Sequence, residues 1–406
     1  MDRQTGKSNT QPQSHTYERI ADVPRLSWLE VTARRIARHA LSTPAQNARP
    51  ADMVRTMCGA HAQVLSAAEW SIGVRIAGVT QTEVRQALWI ERSLVKTFGP
   101  RGTVYLLAAQ DLPMWTSALS AIPPSHNSHA RDVRLTHEQT EEVVEAISVA
   151  LEDAALTIDE LGEAVIAASG PWAGELVMPA FNGMWPRWRM ALATAGLRGA
   201  LCFGPNRGPK VTYTNPRRFL PGLQPVDGQT ALAWVLRRYL YAYGPATPQQ
   251  FAQWLNAPRR WATELFDSLS GELQPVEVNG SLAWVVAGDT TGQSITPQSV
   301  RLLPYFDAYT VGSQPRELLF PGRAAERALT PSGQAGNFPV LLIDGTVAGV
   351  WHQRRSGRSL DITVEPFDRL TATQRRDLDD QVERIGAFLE GKPRLTIGTV
   401  TAGGHA

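Results

Sequence analysis

Lysine, cysteine and long apolar stretches are scarce in this chain of 406 residues. Its basic side chains are 36 arginines and four lysines. The two cysteines, Cys58 and Cys202, lie far apart in apolar surroundings, so we expect free thiols in a reducing cytoplasm rather than a disulfide. No apolar run approaches the ~18 residues of a membrane-spanning helix, so we expect no membrane association. The four lysines are Lys7, Lys96, Lys210 and Lys392.

The sequence also lacks the signatures of several enzyme classes. No Walker loop is present, no Gly-rich phosphate fingerprint follows a predicted strand, and no Cys/His spacing indicates zinc. No acidic pair is arranged as in glycosidases. We therefore predict neither a metal nor a cofactor. The net charge is only +2, so the chain is not a polycation. Its arginines suit phosphate contacts, but an arginine excess is also typical of a GC-rich genome.

The first 25 residues are polar and lack the apolar core of a signal peptide. We predict that residues 1–25 form a disordered segment. A helix–turn–helix pair followed by two short strands is then predicted three times. Thr80, Thr157 and Thr247 each open a capping pattern at the start of a helix, and Asn279-Gly280 is typical of a hairpin turn. The predicted strand pairs are 94–98 with 103–107, 200–203 with 210–214, and 273–278 with 282–286.

Helix, turn, helix and hairpin is the winged-helix arrangement, which indicates DNA binding. Three small α+β units that merely pack together would give the same pattern. From residue 302 the chain is rich in strands and turns, and a helix capped by Thr371 is predicted over 371–390. We therefore predict an α+β fold of tandem winged-helix units followed by a small β-barrel with a covering helix. The predicted domains are 1–25 (disordered), 26–135, 136–225 and 226–295 (winged-helix units) and 296–406 (barrel).

The tripeptide His61-Ala62-Gln63 lies between two predicted helices. The first, over 52–57, is followed by Gly59, a residue suited to a left-handed C-cap, and the second opens with a capping-box pattern at Ser66. Residues 60–65 are therefore predicted to be extended. In extended backbone, side chains two apart point the same way, so His61 and Gln63 can converge on one ligand or water. The alternative is a buried helix-end histidine beside an ordinary loop glutamine.

Basic side chains in the predicted units are candidates for DNA phosphate contacts, although many such charges are simply solvated. The sharpest cluster begins at His352 and ends at Arg358, where a loop after a predicted strand can reach DNA. Phe306 and Asp307 are candidates to line a DNA channel, but Asp307 can equally satisfy turn amides. The candidate DNA-binding residues are Arg101, Arg187, Arg189, Arg207, Lys210, Arg259, Arg260, Arg354, Arg355 and Arg358, and the lesion or channel candidates are Phe306, Asp307 and His352.

Several stretches resemble the AlkZ/YcaQ-type winged-helix DNA glycosylases. They are CGAHAQ at 58–63, RGTVYLL at 101–107, RYLYAYGPAT at 238–247, LPYFDAY at 303–309 and DGTVAGVW at 344–351. The resemblance covers most of the chain after residue 26. It implies tandem winged helices, a C-terminal β-barrel and a basic channel for duplex DNA. It also implies removal of alkylated bases, in some members bulky natural-product adducts or interstrand cross-links.

The resemblance places the catalytic motif of that family on His61-Ala62-Gln63. The family usually has Gln-x-Gln or Gln-x-Asp there, and His-x-Gln is similar to the variant of self-resistance glycosylases in antibiotic producers. A purine alkylated on a ring nitrogen is already cationic and leaves without a general acid. With an unperturbed pKa of about 6.5, His61 can take a proton from the attacking water, whereas Gln63 can only orient it. His61 and Gln63 are therefore the predicted catalytic residues.

Lysine scarcity narrows the predicted outcome. Glycosylases that also cleave the strand attack with an amine, and no lysine lies near the motif in sequence. We predict a monofunctional, monomeric, cytoplasmic and nucleoid-associated DNA glycosylase that acts on double-stranded DNA with alkylated purines. The alternative from another class is a winged-helix DNA-binding protein or transcriptional regulator without catalytic activity.

Overall fold

The structure is a computed structural model that describes residues 23–124, 133–180, 183–290 and 299–403. Residues 1–22, which hold most of the predicted disordered segment and Lys7, lie outside the described residues. Arg25 was predicted to belong to that segment, but it lies in a short strand that pairs with a strand far along the chain. The fold is a mixed α+β arrangement, as predicted.

The first unit carries the His-x-Gln tripeptide between two helices. Of the stretch 60–65 predicted to be extended, Ala60 and His61 form a short strand, whereas Gln63 lies in a bend and Leu65 begins the next helix. Its α4 begins at the predicted cap, where Thr80 and Glu83 form a complete capping box. The elements are β1 (Arg25–Leu26), α1 (Trp28–Arg38), α2 (Pro50–Thr56), β2 (Ala60–His61), α3 (Leu65–Gly73), α4 (Gln81–Trp89), β3 (Leu94–Phe98), β4 (Val104–Ala108) and α5 (Leu112–Ser120).

The second unit contains a hairpin that the sequence analysis did not predict. This hairpin, β6–β7, precedes a 3-10 turn at Arg187–Ala191, so the predicted basic helix over 186–195 is α-helical only in its last part. The Thr157 capping box is present as predicted. The elements are α6 (His137–Ala150), β5 (Ala155–Thr157), α7 (Ile158–Ser169), β6 (Leu176–Ala180), β7 (Gly183–Pro186), α8 (Leu192–Leu197), β8 (Cys202–Arg207) and β9 (Lys210–Thr214).

The third unit matches its prediction most closely. Thr247 and Gln250 form a capping box, and Asn279 and Gly280 have φ values of 47° and 79°, as a type I′ hairpin turn requires. The elements are α9 (Gly228–Tyr243), α10 (Pro248–Leu255), α11 (Arg259–Ser268), β10 (Leu273–Val278) and β11 (Ser281–Val286).

Each of the three predicted hairpins is extended by a third short strand. The sheet orders are β2-β4-β3, β5-β9-β8 and β1-β10-β11. The strand β1 comes from the start of the described chain and pairs in parallel with β10, so the first unit is joined to the third through backbone hydrogen bonds. The winged-helix interpretation of these units and the predicted domain boundaries stay predictions.

The C-terminal region is a five-stranded sheet with a long helix packed on it. The strand order is β12-β13-β14-β15-β16, with β12 and β16 at the edges. Among residues 299–403, these two edge strands do not pair with each other, so the sheet is not closed into the predicted barrel. Thr371 caps the last helix as predicted. The elements are β12 (Val300–Leu303), α12 (Ala308–Gly312), α13 (Arg316–Leu319), α14 (Arg323–Ala328), β13 (Val340–Ile343), β14 (Thr346–Ser356), β15 (Ser359–Pro366), α15 (Ala372–Phe388) and β16 (Lys392–Ile397).

One apolar core runs through the first unit and the C-terminal sheet. It joins side chains such as Val54 and Ile72 to Leu302 and Val350, all fully buried. The second unit has a core of its own around Trp188. The sheet that carries the His-x-Gln tripeptide therefore packs directly against the C-terminal region. Among the described residues, no helix is both long and apolar enough to span a membrane.

Candidate active site and DNA-contact residues

A tight turn connects α2 to the buried strand β2. After α2, Cys58 and Gly59 both have positive φ, at 57° and 98°, and Gly59 N–H donates to the Val54 carbonyl at 2.8 Å. This is a Schellman C-cap whose left-handed residue is Cys58, one position before the predicted Gly59. The Cys58 thiol is free and buried, and burial raises its pKa to about 12, so it is not a nucleophile at neutral pH.

The helix that follows the motif starts without the predicted cap. Its first residue is Leu65 and its N-cap is Val64, which makes no side-chain cap bond. Ser66 is an exposed residue within the first turn. Glu69, predicted as the capping partner of Ser66, is buried and instead accepts hydrogen bonds from Arg85 and Gln81. The capping-box prediction at Ser66 was therefore wrong, because tertiary partners hold the glutamate.

His61 is held between two aromatic rings. In β2 it stands opposite Tyr105 of β4, and its ring centroid is 5.2 Å from that of Tyr105 and 4.6 Å from that of Phe306. Only 6% of His61 is exposed. Burial, together with the nearby positive charge of Arg101, lowers the pKa of His61 from 6.5 to about 4. The imidazole is therefore neutral at pH 7 and has a lone pair to offer.

One imidazole nitrogen of His61 is left without a partner. Nδ1 is buried and accepts or donates no hydrogen bond among the described residues, and a gap of about 10 Å³ adjoins the ring. One water needs roughly 10–15 Å³ of such space, so the gap is of water size and far too small for a nucleobase. Gln63, two residues later, is exposed. The motif is therefore reached from outside the protein at Gln63 rather than through this gap.

Phe306 lies over His61 because of an unusual backbone. Its φ is 53°, a left-handed conformation that is uncommon for a bulky residue. Its N–H donates to the Gly336 carbonyl at 3.1 Å, and a Cβ on Gly336 would lie 2.6 Å from the Phe306 ring. Glycine at 336 thus leaves room for the ring that covers His61.

Asp307 does not line a channel. It is fully buried, and its carboxylate accepts two hydrogen bonds of 2.8 Å from the buried guanidinium of Arg75. Ser71 and the backbone N–H of Tyr309 donate to the same carboxylate. Burial alone raises the pKa of Asp307, but Arg75 and these hydrogen bonds hold it below its ordinary value. The channel prediction is corrected: Asp307 is an internal ion-pair partner that caps α12, as the alternative interpretation held in part.

The ion pair between Arg75 and Asp307 positions the residue next to it. Asp307 follows Phe306 directly, so the buried anchor fixes the chain at the point where the aromatic ring meets His61. Sequence reasoning missed Arg75, although a single arginine in the apolar run 72–76 is a signal that a buried charge needs a partner. It also missed Tyr105 as a member of the site.

Lys96, the lysine nearest to the motif in sequence, lies on the opposite face of the sheet that contains His61. In the β2-β4-β3 sheet, His61, Tyr105 and Thr97 are register partners, and so are Ala60, Leu106 and Lys96. Directly opposite residues point to the same face of a sheet, so Lys96 projects from the face opposite His61. Its Nζ lies 4.7 Å from the Phe203 ring centroid.

Arg101 is the predicted DNA-contact residue nearest to the motif. It lies in the turn between β3 and β4 with a φ of 63°, and its side chain is exposed. Its charge acts on both His61 and Tyr105. A phosphate bound by Arg101 would therefore lie close to His61.

The basic cluster after His352 lies on a hairpin rather than on a loop after a strand. The strand β14 continues to Ser356 instead of ending at His352 as predicted, and β15 returns from Ser359. Arg354, Arg355 and Arg358 are exposed on this hairpin. Arg355 donates to the carbonyls of Gly357 and Leu389 at 3.0 and 3.1 Å.

In the second unit, most predicted DNA contacts already have acidic partners. Arg207 donates to Glu160 at 2.7 and 3.0 Å, and Lys210 donates to Asp159 at 2.8 Å. Such pairs leave less positive charge for phosphates.

The remaining candidates for DNA contacts also differ in whether their side chains already have partners within the protein. Arg187 donates to Glu175 at 2.6 Å and to the Val133 carbonyl at 2.8 Å, which gives it a structural role. The Arg189 guanidinium stacks on Trp185 at 4.3 Å. Arg259 and Arg260 are exposed at the start of α11, and Arg260 donates to Glu264 at 2.8 Å. Their DNA contacts stay predictions.

No group of three or more His, Cys, Asp or Glu side chains in the described ranges is arranged to hold a metal ion. The candidate site itself offers the neutral imidazole of His61 and the exposed amide of Gln63, with the charge of Arg101 near His61.

Comparisons with known proteins identify similar chains. A family model described as DNA glycosylase AlkZ-like matches residues 54–388. An interstrand DNA cross-link repair glycosylase from Streptomyces sahachiroi is 32% identical over 354 residues, covering 80% of this chain and 88% of that protein. The solved structure of the Streptomyces sahachiroi DNA glycosylase AlkZ superposes with a TM-score of 0.75 at 28% identity, over 92% of this chain and 100% of that one.

Proposed function

Because the chain belongs to the AlkZ-like DNA glycosylases, we propose that it is a monofunctional enzyme that hydrolyses the N-glycosidic bond of alkylated purines in duplex DNA. The substrates are bulky adducts, including those of natural products, and the biological role is base excision repair and self-resistance. The observation that carries the proposal is His61, a buried neutral imidazole with an unpartnered nitrogen, two residues from the exposed Gln63. The name of the relative, a cross-link repair glycosylase, supports a bulky substrate.

The reaction needs three events. The bond between C1′ of the sugar and the purine nitrogen breaks, and its electron pair neutralises the positive charge that alkylation placed on the base. Water forms a new bond to C1′ and loses one proton. His61 accepts a hydrogen bond from that water and takes the proton as the new bond forms, while Gln63 orients the same water. The products are the free alkylated base and an abasic site.

The lowered pKa of His61 changes its role from the one expected for an exposed histidine. A base with a pKa of about 4 is always deprotonated at pH 7 but draws the proton less strongly than one near 7. Orientation of the water is therefore the larger part of its contribution. DNA phosphates near Arg101 offset the charge that lowers the pKa of His61, so substrate binding strengthens His61 as a base.

The positions of Lys96 and Lys210 support the monofunctional outcome. Lys96 projects from the opposite face of the sheet, and Lys210 is paired with Asp159 in the second unit. An enzyme that forms a covalent link to the abasic sugar needs an amine at C1′.

The proposed DNA surface combines the three winged-helix units with the C-terminal region. The boundaries 26–135, 136–225, 226–295 and 296–406, with a barrel-like C-terminal domain, remain the proposed division. Arg101 and the β14–β15 hairpin are the strongest proposed contacts, because their charges are exposed and most of the other candidates have partners within the protein. The lesion lies between them, at the exposed side of Gln63.

One assay tests the proposal. Duplex DNA carrying N7-methylguanine at one site, and a second duplex with a bulky N7 adduct, are incubated with the protein and then heated in alkali. We expect breaks at the lesion only after the alkali step, and free alkylated base in the supernatant. Release of neither base means that the protein is a DNA binder without glycosylase activity on these lesions. A DNA adduct trapped by borohydride contradicts the monofunctional mechanism.

A further inference from the structure

A cleft of about 190 Å³ lies beside the His-x-Gln motif and has no role in the proposed hydrolysis. Two of its lining residues are sequence neighbours of residues in the candidate site. Val64 follows Gln63 directly, and Tyr305 precedes Phe306, the residue that covers His61. His352 and Gln353 also line the cleft and lead into Arg354 of the basic hairpin. A duplex held by the motif and the hairpin therefore passes over the cleft.

The lining suits a flat apolar group. Trp70 and Trp351 line the cleft and are themselves 6% and 3% exposed. Their indole N–H groups already donate to the carbonyls of Leu302 and Leu303 at 2.8 Å, so the two rings present apolar surface to the cleft. The polar side chains in the lining are Ser66 and Gln353, which are exposed, and Tyr305 and His352, which are half-buried.

The volume limits the size of the guest. An engineered apolar cavity of about 150 Å³ binds benzene, and cavities for whole drug-sized ligands are roughly 300–1,000 Å³. The cleft therefore admits one aromatic ring system but not an entire natural product. The gap that adjoins His61 is too small for any base, so of these two spaces only the cleft can hold a ring system.

We propose that this cleft binds an aromatic ring system that the adduct carries, and so selects bulky aromatic alkylation products over methylated bases. The proposal rests on the proposed glycosylase function. It assigns to Val64, Trp70 and Trp351 a contact with the adduct rather than with the DNA. A methyl group does not reach the cleft, so methylated bases are bound by the motif and the DNA contacts alone.

The test uses two duplexes of one sequence, with N7-methylguanine or N7-(naphthylmethyl)guanine at the same site. The substitution Ser66→Trp fills the cleft from an exposed position, and Ser66→Ala keeps it open at the same position. Dissociation constants are measured in the His61→Ala background, where chemistry is slow, and single-turnover release is measured with His61 present.

We expect the protein to bind the naphthylmethyl duplex at least about tenfold more tightly than the methyl duplex, since burying an aromatic ring of this size has about that effect. Ser66→Trp removes this preference and slows release of the naphthylmethyl base to the same extent, whereas release of the methylated base stays unchanged. Ser66→Ala keeps the preference.

The opposite outcomes overturn the proposal. Equal binding of the two duplexes, or a preference that survives Ser66→Trp, means that the cleft holds no part of the adduct. Equal loss on both substrates means that the cleft holds the base itself. Failure of the glycosylase function is separate, because it shows as absence of release from either duplex while the binding preference is still measured.

Discussion

His39 and His61 are both buried, and burial lowers the pKa of both, to about 3 and about 4, with help from the charges of Arg75 and Arg101 respectively. The ring of His39 uses both nitrogens: Nε2 lies 3.1 Å from the Ala242 carbonyl and Nδ1 lies 3.4 Å from Arg75. The ring of His61 has an unpartnered Nδ1 and lies two residues from an exposed glutamine. A buried histidine therefore has both ring nitrogens next to partners at position 39 and one ring nitrogen without a partner at position 61.

The difference in hydrogen bonding distinguishes residues that stabilise the fold from residues that are free to act on a substrate. His39, Arg75 and Asp307 form a cluster that hydrogen-bonds within the protein, with Nε of Arg75 as its one unpartnered nitrogen among the described residues, so its role is to hold α1, α3 and α12 together. His61 has capacity left over for a water or a substrate. The basic residues divide in the same way, since Arg207 is bound to Glu160 while Arg354 is exposed on its hairpin.

The largest expected effect is the loss of excision in His61→Ala. Removal of a positioned base lowers the single-turnover rate by roughly 10²–10⁴-fold, with unchanged DNA affinity, because His61 is buried and the proposed DNA contacts are made by exposed side chains. His137→Ala is the matched control, since His137 is exposed and pairs with Glu141 on the surface of α6. Excision by His61→Ala at the wild-type rate would remove His61 from the mechanism.

The substitution Asp307→Ala tests the structural role of the cluster of His39, Arg75 and Asp307. It leaves the Arg75 guanidinium buried without its partner, so we expect the free energy of unfolding to fall by about 3–5 kcal/mol, measured by urea denaturation. Asp379→Ala is the control, because its pair with Arg375 is exposed and exposed pairs contribute about 0–1 kcal/mol. A small loss for Asp307→Ala would show that the cluster is not a structural anchor.

The pH profile distinguishes a buried from an exposed histidine at the motif. The protonated imidazole cannot accept a hydrogen bond from water, and its pKa in the free protein is about 4. We therefore expect kcat/KM to stay level from pH 8 to pH 5 and to fall as the pH drops through 4, by about tenfold per unit. His61→Gln, which restores the Gln-x-Gln form common in the family, has no such limb because glutamine does not titrate. A fall centred on pH 6.5 would contradict a neutral, buried imidazole.

The smallest expected effect distinguishes exposed arginines, such as Arg354, from arginines that are paired within the protein, such as Arg207. Arg354→Ala lowers the slope of log affinity against log salt concentration by about 0.9, the value for one lost phosphate contact. Arg207→Ala leaves that slope unchanged, because its charge is already paired with Glu160. Both slopes come from binding titrations at several salt concentrations. Equal changes in the two variants would mean that internal pairing does not decide which arginines meet DNA.

Local signals predicted the elements well where they depend on neighbouring residues. The capping boxes at Thr80, Thr157 and Thr247 form as predicted, because cap and partner are three residues apart. The capping box predicted at Ser66 fails because Glu69 is engaged by Arg85, a partner from another helix. The strand β16 was missed because it forms only by pairing in parallel with β15.

The sequence by itself determined the family, the mixed α+β class and the position of the His-x-Gln tripeptide, since these depend on residue identity and short-range pattern. The tertiary structure decided what the tripeptide can do. Asp307 meets Arg75 across 232 residues, which withdraws the carboxylate from any DNA channel and fixes Phe306 over His61. Burial by Phe306 and Tyr105, with the charge of Arg101 nearby, then lowers the pKa of His61. Desolvation arises from side chains that are distant in sequence, so only the folded chain makes this imidazole neutral and leaves one of its nitrogens unpartnered.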